Sequence, residues 1–246
     1  LALLVGLMET FRLFFREFMQ VLRAVGPVVR ERKWVWIASS AIGAAVTALL
    51  IPGDVARSQA WFVPQDPDLV LLCGKLGYWG ELHRAPLIVA GVVYLAGVVR
   101  RSAFLRMAAL AAILAGAGAG IIAAAVKGAT GRPRPMLTLD TGRGGELLED
   151  RFTGPTGNSK MQGFPSGHAT HSTAVAAALA VSVPVVGVPA LAGAGVISWS
   201  RMYFHRHYLG DVVAGTVLGG VLGIWFGLAA RRSRSCTSES LAKTTE

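Results

Sequence analysis

Apolar residues in this chain come in long blocks rather than with the alternation of a half-buried strand or the narrow stripe of a surface helix. The blocks run over roughly Trp34–Ile51, Pro86–Val99, Phe104–Val126, Ser166–Val183, Val185–Ser200 and Asp211–Ala230. A bilayer core is about 30 Å thick, so a helix rising about 1.5 Å per residue needs about 20 mostly apolar residues to cross it. Six blocks approach that length, the second by borrowing from its flanks. No charge falls between Ser172 and Ser200, and one tilted helix would fit there. Pro184, Gly187 and Pro189 lie near the middle of that run, however, and predict a break into two helices. The pattern therefore predicts an all-α polytopic membrane protein with six transmembrane helices.

Ahead of the first block, Phe11, Phe14, Phe15, Phe18 and Val21 recur at helical spacing, interleaved with Arg12, Arg16 and Arg23. This predicts an N-terminal amphipathic helix, lying on the cytoplasmic surface or docking on the bundle. It lacks the basic start and small-residue cleavage site of a secretory signal. The first residue is Leu1 rather than Met, which suggests a trimmed chain. Gly215, Gly219, Gly223 and Gly227 repeat every four residues along the last block, as Gly116 and Gly120 do in the third; such stripes let helices pack closely in a bilayer. The expected organisation is an amphipathic segment over 1–33, a six-span domain over 34–230 and a disordered, polar cytoplasmic tail over 231–246.

Composition agrees with the membrane reading. Of 246 residues, 53% are hydrophobic and only 15% charged, and mean hydropathy is +0.52, whereas a soluble domain carries about 25% charge. Disordered, collagen-like and disulfide-stapled classes are excluded. The net charge is +10, but the basic residues cluster between apolar runs, which suits anionic headgroups and an anionic substrate rather than nucleic acid. Cys73 and Cys236 form no zinc-like spacing. Lys and Arg fall in the N-terminal segment, in the link holding Arg100, Arg101 and Arg106, and in the tail at Arg231, Arg232 and Arg234. The positive-inside rule makes that side cytoplasmic, with both termini on it. The opposite side nevertheless keeps many cations, Arg143, Arg151 and Lys160 among them. Topology alone would disfavour them there, so their retention suggests a job.

Three polar clusters sit at the non-cytoplasmic ends of the predicted spans: Lys127 to Pro135, Phe164 to His168, and Ser200 to Asp211. Together they offer Lys127, Arg134 and Arg201 as cations, His168 and His207 as imidazoles, and Asp211 as a carboxylate. Like charges near a bilayer are costly unless an anion neutralises them. A phosphate ester or diphosphate would do so, because guanidinium groups match its oxygens bidentately and an ammonium adds a point charge. Ser166 and Gly167 present free backbone N–H groups at a helix start, a ready anion site. His207 and Asp211 are one helical turn apart, so the carboxylate can fix the imidazole tautomer and leave the other nitrogen as a nucleophile. His168, on another element, can protonate a leaving oxygen. Each cluster alone also has a plainer reading, as a headgroup-facing loop, a helix cap or a structural pair. Arg132 and Arg206 read as headgroup or loop contacts, and His171 and His205 as lining or packing residues. All three clusters at one depth make coincidence a poor explanation.

Lys127-x6-Arg134-Pro135, Pro165-Ser166-Gly167-His168 and Ser200-Arg201-x5-His207-x3-Asp211 resemble the three signature motifs of the type 2 phosphatidic acid phosphatase superfamily, in family order. The resemblance implies a membrane lipid phosphatase of the kind that acts on phosphatidylglycerol phosphate or undecaprenyl diphosphate. It also implies a metal-independent, two-step reaction through a phosphohistidine, with no cofactor. Carried over by position, His207 is the nucleophile, Asp211 its orienting partner, and His168 the acid and then the base. Lys127, Arg134 and Arg201 bind phosphate oxygens, with Ser166 and the Gly167 amide assisting.

The expected function is hydrolysis of a lipid phosphomonoester or diphosphate at the outer face of a bacterial-type inner membrane. Undecaprenyl diphosphate, phosphatidylglycerol phosphate and phosphatidic acid are the candidate substrates. The alternatives are a lipid A phosphatase, a lipid phosphotransferase using the same site, and a non-enzymatic lipid-binding or transport protein. The partners expected are the lipid substrate and membrane lipids, with no nucleic acid and no obligatory protein. The loop from Met136 to Gly163 carries no pattern assignable to one lipid.

Overall fold

The computed structural model describes residues 2–140 and 147–243, with side chains from residue 8 to residue 234. Arg143 lies outside the described residues. The chain forms α1 (Ala2–Glu31), α2 (Lys33–Leu50), α3 (Asp54–Phe62), α4 (Pro67–Trp79), α5 (Ala85–Val99), α6 (Ala103–Thr130), α7 (Gly167–Ser182), α8 (Pro184–Tyr203) and α9 (Leu209–Lys243). No strand occurs among the described residues, so the protein is all-α. Four helical stretches, Lys33–Phe62, Ala103–Leu137, Pro184–Tyr203 and Leu209–Arg234, are long and apolar enough to cross a membrane, and α5 is apolar but shorter. Where the sequence pattern counts six spans, length and composition in the structure thus give four.

The expected break falls at Val183, with Pro184 at the first position of α8. Gly187 then lies against the backbone of Leu179 and Ala180, where a Cβ has no room. Two short helices, α3 and α4, were not expected. The second is started by Asp66, whose carboxylate accepts from the amides of Asp68 and Leu69, with Pro67 at the first helical position. The backbone of α9 stays helical to Lys243, and the stretch after Gly227 holds neither Gly nor Pro to stop it.

The bundle is small inside and large outside. Alanines of α6 and α7, such as Ala112, Ala115, Ala119, Ala174 and Ala178, fill its centre, while Val92, Leu95, Ile121, Val185 and Val188 face outward. Hydrocarbon rather than water suits such a surface. Helix α7 packs most extensively against α9. Along that seam a Cβ at Gly223 would lie 2.5 Å from the Ala174 carbonyl oxygen, and one at Gly227 would lie 2.7 Å from that of Ala178. The glycine stripe is a packing device.

Helix α1 docks on α9 and α6. Its Glu17 is buried and accepts from Arg106 Nε at 3.0 and 3.1 Å, so Arg106 is an internal ion pair rather than a free basic residue of the α5–α6 link. Arg232 meets Glu31, and the Ser233 hydroxyl donates to the Gln20 carbonyl. The N-terminal helix, the start of α6 and the late part of α9 therefore gather at one end. The C-terminus of α6 and the starts of α7 and α9 lie at the other.

Gly219 tests the seam. A Cβ there would collide with the Thr170 carbonyl, so Gly219→Val is expected to cost about 1–3 kcal/mol and to lower the thermal midpoint in detergent. Gly118→Ala, at a position with nothing within 4 Å, should leave that midpoint in place.

Candidate active site

Helix α6 ends because Gly131 takes a left-handed conformation, φ +61°, and its amide reaches back to the Lys127 carbonyl. Any Cβ there would strike the Gly154 carbonyl. The turn sends the next residues two ways. Arg132 goes into the interior, while Arg134 faces a cavity. The loop returning to α7 is fastened to this turn: the Gly163 amide donates to the Arg132 carbonyl at 2.8 Å, and the Arg134 amide to the Lys160 carbonyl at 3.1 Å.

The cavity has a volume of about 590 Å³ and is lined by Lys127, Arg134, Gly167, His168, Arg201 and His207. Six of the eight expected site residues, drawn from all three clusters, thus share one wall. Lys127 Nζ donates to the Gln162 carbonyl at 3.2 Å. Arg134 is held from behind, its Nε donating to the Ser159 carbonyl at 3.0 Å and its Nη1 to the Arg206 carbonyl at 3.3 Å. Arg201 donates to the Cys73 carbonyl of α4, and Gly77 leaves space its guanidinium would otherwise lose. Carbonyl acceptors fix these cations without neutralising them, so their charge remains available to an anion.

The other two expected residues sit behind the wall. Ser166 is fully buried; its hydroxyl accepts from the Ala169 amide as the cap of α7, and its own amide donates to the Asp211 carbonyl. That places it under the site rather than in it. Asp211 is also fully buried, with Oδ2 3.7 Å from His207 Nδ1, beyond hydrogen-bond reach. The nearer partner of that nitrogen is the Gly163 carbonyl at 2.7 Å. A carbonyl can only accept, so Nδ1 carries the proton and Nε2 keeps its lone pair. Burial lowers the His207 pKa well below its ordinary 6.5, and the charges of Lys127 and Arg134 lower it further, against the pull of the Gly163 carbonyl. The ring is a neutral imidazole with one free nitrogen.

Asp211 instead belongs to a buried ionic knot. Its Oδ1 accepts from Arg132 Nη1 at 2.7 Å and its Oδ2 from the Tyr208 amide at 2.8 Å. Arg132 is fully buried and also contacts Asp150 at 2.6 Å and Asp54 at 3.1 Å. The guanidinium carbon lies 4.3 Å from the Tyr208 ring centre. Asp54 in turn accepts from the Gly210 amide and pairs with Arg57. The reading of Arg132 as a headgroup contact is therefore corrected: three carboxylates draw it inward. Its partners are 78, 18 and 79 positions away, beyond any local spacing rule. Arg206 likewise lines the cavity instead of merely facing headgroups, and His171 lines it as expected. His171 Nδ1 is buried without a hydrogen-bond partner. His205 packs, its Nε2 3.1 Å from the Phe62 carbonyl oxygen.

The cation-lined pocket thus lies where the end of α6, the start of α7 and the end of α8 meet in a helical bundle. Residues 106–234, more than half of the chain, match the PAP2 superfamily, and the chain belongs to it. Over 109 residues, 44% of its length, the chain is 36% identical to a lipid A 1-phosphatase of Rhizobium etli, and it is 35% identical to that of Rhizobium johnstonii. These stretches span 43% and 41% of the two relatives, under half of each. A transmembrane PAP2 type phosphatidylglycerolphosphate phosphatase from Bacillus subtilis has the same fold, with a TM-score of 0.53 at 18% identity, covering 81% of this chain and 96% of that one. Aquifex aeolicus LpxE superposes at 0.50 and 18% identity over 70% of this chain and 92% of its own.

Removing the Arg132 guanidinium takes the cation from Asp150 and Asp211 and leaves Asp54 to Arg57 alone. Breaking a buried ion pair from one side costs about 3–5 kcal/mol, and Arg132→Gln is expected to lose stability on that scale by thermal unfolding in detergent. Arg151→Gln, which removes an exposed pair 3.7 Å long, should leave the midpoint in place.

Proposed function

We propose that the protein is an integral membrane lipid phosphatase that works through a phosphohistidine on His207. The observation that carries this reading is the shared cavity, where a neutral, buried imidazole with a free Nε2 lies among three unneutralised cations. In the first step Nε2 attacks phosphorus as the bond from phosphorus to the leaving oxygen breaks. His168 gives that oxygen its proton, and Lys127, Arg134 and Arg201 take up the charge on the equatorial oxygens. The phosphorylated ring is cationic and keeps its Nδ1 proton, facing the Gly163 carbonyl and, at 3.7 Å, the Asp211 carboxylate. In the second step water loses a proton to His168 and attacks phosphorus, the P–N bond breaks, and inorganic phosphate leaves. The Gly167 amide, at the start of α7, supports a phosphate oxygen, while Ser166 and Asp211 hold the wall from behind. No metal is needed, since the cations are the protein's own.

In the bilayer, α5 and α7 join the four longer stretches to make six spans. Helix α1 lies along the cytoplasmic face, and the cavity opens at the outer face of a bacterial-type inner membrane. The substrate's tail stays in the hydrocarbon. The candidate lipids are undecaprenyl diphosphate, phosphatidylglycerol phosphate and phosphatidic acid; the relatives named lipid A 1-phosphatases add a lipid A phosphate. A phosphotransferase would use the same site with a lipid hydroxyl in place of water.

Phosphate release from purified protein over a panel of these lipids, with EDTA present throughout, tests the proposal. Turnover of at least one lipid is expected, falling by three orders of magnitude or more in His207→Ala. Undiminished turnover in that variant, or activity restored only by added divalent metal, would overturn it.

A further inference from the structure

The cavity is larger and more basic than one phosphate requires. Besides Lys127, Arg134 and Arg201, it is lined by Lys160 and Arg206, and neither of these forms an ion pair among the described residues. Both flank Arg134 through the backbone: the Lys160 carbonyl accepts from the Arg134 amide, and the Arg206 carbonyl from the Arg134 guanidinium. The side chain of Arg206 rests near the Phe204 ring, its guanidinium carbon 5.5 Å from the ring centre, with only the Met136 sulfur as a weak acceptor among the described residues. The carboxylate on this wall, Glu81, is already matched by Arg84 at 2.9 Å. Behind the wall, Asp54, Asp150 and Asp211 face Arg132 and Arg57, leaving one negative charge over. Among the described residues, five cations at the cavity thus stand against one surplus carboxylate. A phosphomonoester brings only about −1.5 to −2 charges at pH 7. Charge balance calls for a second anionic group.

We infer that Lys160 and Arg206 form a second anion subsite beside Arg134, which selects lipids carrying a phosphate beyond the one attacked at His207. This rests on the phosphatase reading for which phosphate is cleaved, but the binding preference can be read separately. The second phosphate is either the other half of a diphosphate or a phosphodiester elsewhere in the headgroup. Guanidinium and ammonium groups recognise both, and the length of the cavity from His207 to its rim decides which is reached.

Equilibrium titration of the unaltered protein in detergent with inorganic pyrophosphate and with inorganic phosphate tests the subsite directly. Pyrophosphate is expected to bind at least tenfold more tightly. Arg206→Met, which keeps the stem packed on Phe204, and Lys160→Ala should each erode that ratio about fivefold or more. An equal loss for both anions, or a ratio that neither variant moves, would overturn the inference. Steady-state hydrolysis then separates the sources. A KM increase in Arg206→Met confined to isoprenyl diphosphate over isoprenyl monophosphate supports a diphosphate. One confined to phosphatidylglycerol phosphate over phosphatidic acid supports a headgroup diester. Equal changes within both pairs count against the subsite. Absence of all hydrolysis by the unaltered protein contradicts the phosphatase reading and leaves the titration to decide the subsite.

Discussion

One buried guanidinium organises the cavity end of this molecule. Arg132 cannot shed its charge, and a charge taken out of water is tolerated only when paired and fully hydrogen-bonded. It meets that demand by gathering Asp54 from α3, Asp150 from the loop before α7, and Asp211 from the first turn of α9. Its backbone carbonyl simultaneously holds the Gly163 amide, whose own carbonyl fixes the His207 ring. Side chain and main chain of one residue therefore set both groups that face His207 Nδ1. Asp54 lies outside the 106–234 region that matches the superfamily, so the N-terminal half is tied to the site by this same knot.

The rest of the bundle makes that knot affordable by bringing helix ends together at one level. Small residues let α6, α7 and α9 approach closely, so the end of α6 and the starts of α7 and α9 converge. Cations at that level are held by carbonyl oxygens of Gln162, Ser159, Arg206 and Cys73 rather than by carboxylates. A carboxylate would quench them, whereas a carbonyl orients them and leaves the charge for a ligand. The division of labour is spatial, with carboxylates behind the wall and bare cations in front of it.

Much of this was legible in the chain because the physical signals were local. Long apolar blocks mark α2, α5, α6, α7, α8 and α9, and Pro184 with Gly187 marks the break between α7 and α8. The convergence of Lys127, Arg134, His168, Arg201 and His207 followed from motif placement at span ends. What was missed depends on distant partners. Arg132 looks like any basic loop residue until Asp54 and Asp150 are seen beside it. Asp211 sits one turn from His207 and invites a direct pairing, yet the Gly163 carbonyl, 44 positions away, takes that hydrogen bond. Helices α3 and α4, of 9 and 13 residues, are too short to register as span-length apolar blocks, so neither was expected.

Three separated stretches meet at His207, and the proposed phosphatase needs them to hold one phosphate there. A crystal or cryo-electron microscopy structure of the protein with orthovanadate tests it most directly. Vanadium is expected bonded to His207 Nε2, with oxygens within hydrogen-bond distance of Lys127, Arg134 and Arg201. Vanadate bound elsewhere, or a His207 ring turned away from an occupied pocket, would contradict it.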